Sequence, residues 1–300
     1  MVTHENNEEE VIMKKKIWKA AALLGAALIL GGCSGQKEAA TTTAAETTAQ
    51  TKTEETTAAG ETSQAAADGT DTFTVGFDQD FPPMGFVGDD GEYTGFDLEL
   101  AQEVAKRLGK TYVPQPIAWD SKDMELTSGN VDCIWNGFTM NGREDGYTWT
   151  TPYMENSQVF VVKGDSGIKT LADLAGKVVE VQADSSAEKA LQEDAELTGT
   201  FGTLQTTPDY NTAFMDLEMG AVDAIAMDVI VAGYQIEQRN ADFIILEEAL
   251  AAEEYGVGFK KGNEALRDQV QEQLEAMAAD GTLKTVSEKW FGKDVTTIGK

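Results

Sequence analysis

Two short segments carry the polar residues best placed for binding chemistry. Gly129-Asn-Val-Asp-Cys-Ile134 and Gly220-Ala-Val-Asp-Ala-Ile225 agree at four of six positions and start 91 residues apart. Each is an apolar run suited to a buried parallel strand, and each leads into polar residues, Asn136-Gly137 in one case and Asp228 in the other. Open α/β sheets bind ligands beyond the carboxyl ends of their strands, so the echo predicts two α/β lobes that present polar groups there. Catalytic chemistry has little to work with. The only histidine is His4, ahead of an export signal, which leaves the rest of the chain without a Ser-His-Asp triad, a Cys-His pair or a His-based zinc site. The two cysteines are Cys33 and Cys133. Cys133, in the apolar run VDCIW, is expected to be a buried small residue without a disulfide partner.

The elements around these segments follow from periodicity. TFTVGF (72–77) alternates as a strand, and Asp89-Asp90-Gly91 supplies a hairpin turn between Met84–Val87 and Glu92–Thr94. Phe96, Leu100, Val104 and Leu108 recur every four residues on a helix with Asp97 in its first turn, Lys106-Arg107 in its last and Gly109 as its stop. TYVPQPIAW reads as a strand ending at Trp119, followed by a short helix over 120–127. Farther on, KVVEVQ, a helix from Ser185, a helix over 209–219, VDAIAMD and a helix from Val229 alternate as β/α units. EEYGVGFK (253–260) reads as one strand. A helix carrying Leu266, Val270, Leu274 and Met277 on one face follows, then a short helix with Trp290 and Phe291 as anchors.

The N-terminal region predicts where the protein works. Lys14, Lys15, Lys16 and Lys19 form a basic region, Ala20–Leu30 is an apolar run too short for a stable membrane span, and Leu30-Gly31-Gly32-Cys33 resembles a bacterial lipobox. This predicts a signal peptide over 1–32, with Met13 as the natural start and Cys33 as the lipid-modified first residue of an exported, membrane-anchored protein. Residues 34–71, rich in Thr, Ala and Glu with nothing aromatic to bury, read as a disordered tether. A net charge of −29 repels nucleic acid and anionic lipid surfaces, so nucleic-acid binding is not expected.

Six segments together resemble one family: VGFDQDFPPMGF (75–86), GEYTGFDLELAQEVAKRLG (91–109), GNVDCIWNGFTMNGRE (129–144), TLADLAGKVVEVQ (170–182), GAVDAIAMD (220–228) and DGTLKTVSEKWFG (280–292). They stand in the order found in solute-binding proteins for polar amino acids, the receptor subunits of ABC importers. The resemblance implies a two-lobed, periplasmic-binding-protein-like α/β clamshell of the Venus flytrap type with two interlobe crossovers, near 154–157 and 253–255. Lobe 1 would comprise 72–155 and 255–300, and lobe 2 would comprise 156–254. The implied protein is a monomer that takes no cofactor and performs no catalysis. Its partners are a free amino acid, a membrane permease and, through the lipid anchor, the membrane.

The resemblance also implies a site. A zwitterion needs a cation for its carboxylate and an anion for its ammonium. Arg143, following Gly137-Phe138-Thr139 at a spacing one residue shorter than usual, matches the family arginine that forks onto the carboxylate. Asp228 matches the acid that accepts from the ammonium. Thr139 would donate to the carboxylate, Asn136 or Gly137 would offer a carbonyl to the ammonium, and Ser185 and Ser186 would stand at a helix start that favours a carboxylate. Asp184 occupies a position where many relatives carry glycine. Phe81 and Trp119 match an aromatic pair that sandwiches the ligand side chain, and Asp78 matches a reader of its far end. Asp78, Asp80, Asp120 and Glu125 are expected to make the entrance electronegative, which favours a polar or cationic ligand. Two alternatives use the same scaffold: a dehydratase of a small cyclic acid, with Asp78 or Glu125 as the acid, and a tethered sensor domain.

Overall fold

A computed structural model describes residues 72–239 and 241–300. Cys33, the signal segment and the 34–71 tether lie outside the described residues.

The chain enters through Thr72–Phe77 (β1), which buries Phe73, Val75 and Phe77. Asp80–Phe81 (β2), Gly85–Val87 (β3) and Tyr93–Thr94 (β4) form a small antiparallel meander. Phe96–Arg107 (α1) then lays Phe96, Leu100 and Val104 into the core. Thr111–Pro116 (β5) runs parallel to β1, and the Ile117 amide closes the pairing by donating to the Phe77 carbonyl at 2.9 Å. Trp119, expected at the end of this strand, instead opens a single 3₁₀ turn before Lys122–Ser128 (α2). Cys133–Ile134 (β6) and Tyr147–Trp149 (β7) complete this part of the first sheet.

Met154–Lys163 (β8) begins a second sheet with Val178–Gln182 (β9), Thr203–Thr207 (β10), Ala224–Asp228 (β11), Phe243–Ile245 (β12) and Ala251–Tyr255 (β13). Its order is β10-β9-β11-β8-β12, with β13 pairing β8. Ser186–Glu193 (α3), Ala195–Thr198 (α4), Tyr210–Met219 (α5) and Val229–Arg239 (α6) connect its strands. Gly258–Lys260 (β14) returns to the first sheet, whose order is β5-β1-β6-β14-β7. Glu264–Asp280 (α7) and Thr282–Phe291 (α8) finish the fold, with Leu266, Val270, Leu274 and Met277 buried along α7.

The single strand expected over 253–260 is therefore two strands in two sheets. The chain changes sheet at Gly256, whose amide donates to the Phe138 carbonyl at 3.0 Å. Both crossovers run side by side, because β8 and β13 pair antiparallel from Ala251↔Gln158 to Tyr255↔Met154. Bridges Thr139↔Tyr255 and Met154↔Thr296 fasten the end of this ribbon to the first lobe.

The echoed segments fold alike. α2 ends at Gly129 (φ 81°) and α5 at Gly220 (φ 77°), left-handed caps that only glycine adopts at little cost. The next amides reach back to matching carbonyls, Asn130 to Glu125 at 3.0 Å and Ala221 to Asp216 at 2.8 Å. Asp132 then clasps Thr74 of β1, accepting from its amide at 2.7 Å and donating to its carbonyl at 2.8 Å. Asp223 clasps Val178 of β9 in the same way, at 2.8 and 2.9 Å. β6 and β11 thus lie parallel to β1 and β9, and each aims its carboxyl end at the interlobe cleft.

Candidate functional site

A small cavity of about 10 Å³ lies between the lobes, lined by Phe81, Trp119, Asn136, Gly137, Thr139, Arg143, Gln182, Ser185, Ser186 and Asp228. Nine of the ten candidate ligand-binding residues are in this lining. The tenth, Asp78, lines a wider adjoining space that shares Trp119.

The carboxyl end of β6 builds the first-lobe wall. Asn136 accepts from the Asp78 amide through Oδ1 at 3.0 Å, and the Gly137 amide donates to Asp97 Oδ2 at 2.6 Å. Gly137 has φ 57°, and a Cβ there would stand 3.0 Å from the Phe81 ring and 3.1 Å from the Tyr255 ring, so only glycine fits. Asp97, read from sequence as an acid in the first turn of α1, is fully buried and also accepts from the Tyr153 hydroxyl at 2.8 Å. Burial raises its pKa to about 7.

Arg143 reaches the cavity despite its short loop. A turn closed by Arg143 N donating to Met140 O at 2.9 Å brings the side chain back over the Phe138 ring, 5.4 Å from its centroid. Among the described residues the guanidinium donates to Thr139 O at 3.4 Å and Asp184 O at 3.3 Å, both long bonds.

Asp228 projects from the carboxyl end of β11 in the second lobe. Its Oδ1 accepts from Tyr255 Oη at 2.6 Å, Asn156 Nδ2 at 2.8 Å and Gln158 Nε2 at 2.9 Å. Desolvation, then repulsion by Glu253, lifts its pKa well above the usual carboxylate range. Asn156, Gln158, Tyr255 and Glu253 escaped the sequence reading of the site; the polar run Glu155-Asn156-Ser157-Gln158 near the start of β8 was the available signal.

The two serines divide their roles. Ser185 is the N-cap of α3, and its Oγ accepts from the Glu188 amide at 3.1 Å. Ser186 Oγ accepts from Gln158 Nε2 at 2.9 Å and from Thr139 Oγ1, across the cleft, at 3.2 Å. Asp78 also spans the lobes, accepting from Gln182 Nε2 at 2.6 Å, and burial raises its pKa to about 6. The wider space beyond it is lined by Asp78, Asp80, Asp120 and Asp209. Glu125 is absent from this lining and bonds Asn130 instead. Asn211 bonding Asp80 at 2.8 Å and Tyr210 stacked near Phe81 at 6.0 Å complete a closed arrangement of the lobes.

The model for bacterial extracellular solute-binding proteins, family 3, matches residues 73–293. The chain belongs to this family. It is 38% identical to the L-cystine-binding protein TcyJ of Escherichia coli K12, over 75% of this chain and 84% of that one. An ABC uptake transporter substrate-binding protein from Streptococcus pneumoniae, solved with bound histidine, is 36% identical with a TM-score of 0.74, covering 76% of this chain and 95% of that one. An ancestral amino acid-binding protein described as a precursor of cyclohexadienyl dehydratase is 31% identical with a TM-score of 0.68, over 74% and 96% of the two chains. The α/β fold is the family's two-lobed clamshell.

Proposed function

We propose that this chain is the extracytoplasmic substrate-binding subunit of an ABC importer, closing on one free L-amino acid and delivering it to a membrane permease. The observation that carries this reading is the placement of the Arg143 guanidinium and the buried Asp228 carboxylate on opposite lobes around one cavity. A zwitterion satisfies both at once. Its carboxylate takes the fork of Arg143 with the Thr139 hydroxyl beside it, and its ammonium neutralises Asp228 while donating to the backbone carbonyl of Asn136 or Gly137. Each lobe then gains contacts that exist only when the other is near, and this difference drives closure. Two charged anchors and an aromatic wall suffice for micromolar affinity, about −8 kcal/mol.

The side chain of the ligand points toward Asp78, Asp80, Asp120 and Asp209, which suit a distal ammonium or guanidinium. L-Cystine, with a second ammonium at its far end, is our first candidate, and the resemblance to TcyJ supports it; arginine and histidine follow. Export, acylation at Cys33, tethering through 34–71 and a monomeric state are parts of the same proposal, as is the lobe division at 155/156 and 254/255. A dehydratase would use Asp78 as its acid, yet a substrate without an amine leaves Asp228 uncompensated. A tethered sensor domain would share the ligand and differ in its partner.

The test is a thermal-shift screen of the protein lacking residues 1–71 against L-cystine and the twenty standard amino acids. Stabilisation by cystine or a cationic amino acid, with a smaller radius of gyration on binding, is expected. No stabilisation by any of them would overturn the proposal.

A further inference from the structure

We propose that Lys122 and Asp184 form a bolt across the rim of the cleft that sets how long the closed lobes retain a ligand, without either residue touching it. This rests on the reading above that an amino acid is held between the lobes. Neither residue lines the ligand cavity. Lys122 begins α2 in the first lobe, and its side chain is only 2% exposed. Its ammonium crosses the cleft to the Asp184 carboxylate and donates to the Asp184 carbonyl at 3.1 Å. On its own side it donates to the Trp119 carbonyl at 3.3 Å and lies 5.1 Å from the Trp119 ring centroid. Trp119 lines the cavity, so the bolt lies directly behind the ligand wall.

Asp184 is shaped for this contact. Among the described residues it is the one non-glycine residue with a left-handed backbone, φ 57°. That conformation persists in a side-chain-bearing residue only where surrounding contacts hold it. Its amide donates to Glu188 Oε2 at 2.6 Å, and its carbonyl takes Arg143 Nη2 at 3.3 Å in addition to Lys122. Two first-lobe cations therefore converge on one second-lobe residue. Glycine would relieve the backbone and abolish the ion pair. Burial disfavours the Lys122 cation, and the Asp184 carboxylate is what offsets that cost.

The pair exists only when the lobes are shut. It therefore stabilises the closed state over the open one, and a ligand that must wait for opening leaves more slowly. Association, which proceeds through the open form, is left alone.

The experiment compares wild type, Lys122→Met, Asp184→Asn and the double variant. Methionine keeps most of the buried stem, and asparagine tolerates the left-handed backbone. The tightest wild-type binder among L-cystine and the standard amino acids is the probe, and stopped-flow tryptophan fluorescence reads both rates. Each single variant is expected to release the probe about tenfold faster, with association changed less than twofold. The double variant should release no faster than Lys122→Met, and salt should speed release in wild type only. Release within twofold of wild type in both single variants, or single effects that multiply in the double, overturns the bolt while leaving the binding function intact. Absence of any binder for wild type overturns the binding function, and the bolt with it.

Discussion

Asp228 and Glu253 hold the same two amide groups: Asn156 Nδ2 lies 2.8 Å from Asp228 Oδ1 and 2.6 Å from Glu253 Oε1, while Gln158 Nε2 lies 2.9 and 2.7 Å from them. Two buried acids thus share two neutral donors. The amides position both carboxyls but supply no net positive charge, so the pair attracts a cation from the cavity.

Ligand binding should therefore release protons. Asp228 has a raised pKa in this setting, and an ammonium beside it favours the charged form. Affinity should rise with pH from about 4, the ordinary carboxylate value, through Asp228's elevated value. Calorimetry at pH 6 in two buffers of different ionisation enthalpy checks this. Proton uptake on binding would contradict it.

Stability of the unliganded protein should move the other way. Asp78 (about 6), Asp97 (about 7) and Asp228 all titrate above their unfolded values. The folded state then binds more protons than the unfolded state between about pH 4 and 7, so stability falls as pH rises through that window. Below it, acids with lowered values, such as Asp280 at about 2, lose stability in the opposite direction. The thermal midpoint should be highest at about pH 4; a midpoint rising steadily to pH 8 would refute this.

Arg143→Ala should weaken binding by about 3 kcal/mol, since a ligand carboxylate would be desolvated without its fork. Asp228→Asn keeps an acceptor and should cost less. Calorimetric affinities decide between this and a carboxylate anchored elsewhere.

The echoed clasps predict matched stability losses. Asp132→Ala and Asp223→Ala each strip a strand amide of its acceptor, that of Thr74 and of Val178. Each should cost about 1–2 kcal/mol, additively in the double variant because the sites lie in different lobes. Denaturant titration measures all three.

Metabolic labelling with a fatty acid should mark the wild-type protein and spare Cys33→Ser. Equal labelling of both would remove the lipid anchor from the proposal.

Asn136-Gly137 and Asp228 were legible because they stand at or just beyond the ends of buried strands, while Arg143 was legible only through the resemblance of its segment to the family. What stood behind them was not. Asp97 has the spacing of a dipole-complementing acid, and only the approach of Gly137 and Tyr153, 40 and 56 residues away, reveals its burial. Lys122 drew no reading from sequence, because its burial depends on the contact with Asp184 across the cleft. Glu253 meets Asp228 through the register of β13 on β8, which no local pattern encodes. β10, TLQTT, went unread because an edge strand with a mostly exposed face lacks apolar alternation.

The ribbon of β8 and β13 has a mechanical consequence. Two independent threads between the lobes would permit them to roll, twist and slide. A hydrogen-bonded ladder five pairs long, fastened to the first lobe at Thr139 and Thr296, resists shear along its length and yields mainly by flexing across its thin direction. The protein therefore swings like a door on a leaf spring, with one soft coordinate. Under the proposed function, binding work done at Arg143 and Asp228 would be channelled into that single swing, and every closure would present the same outer face.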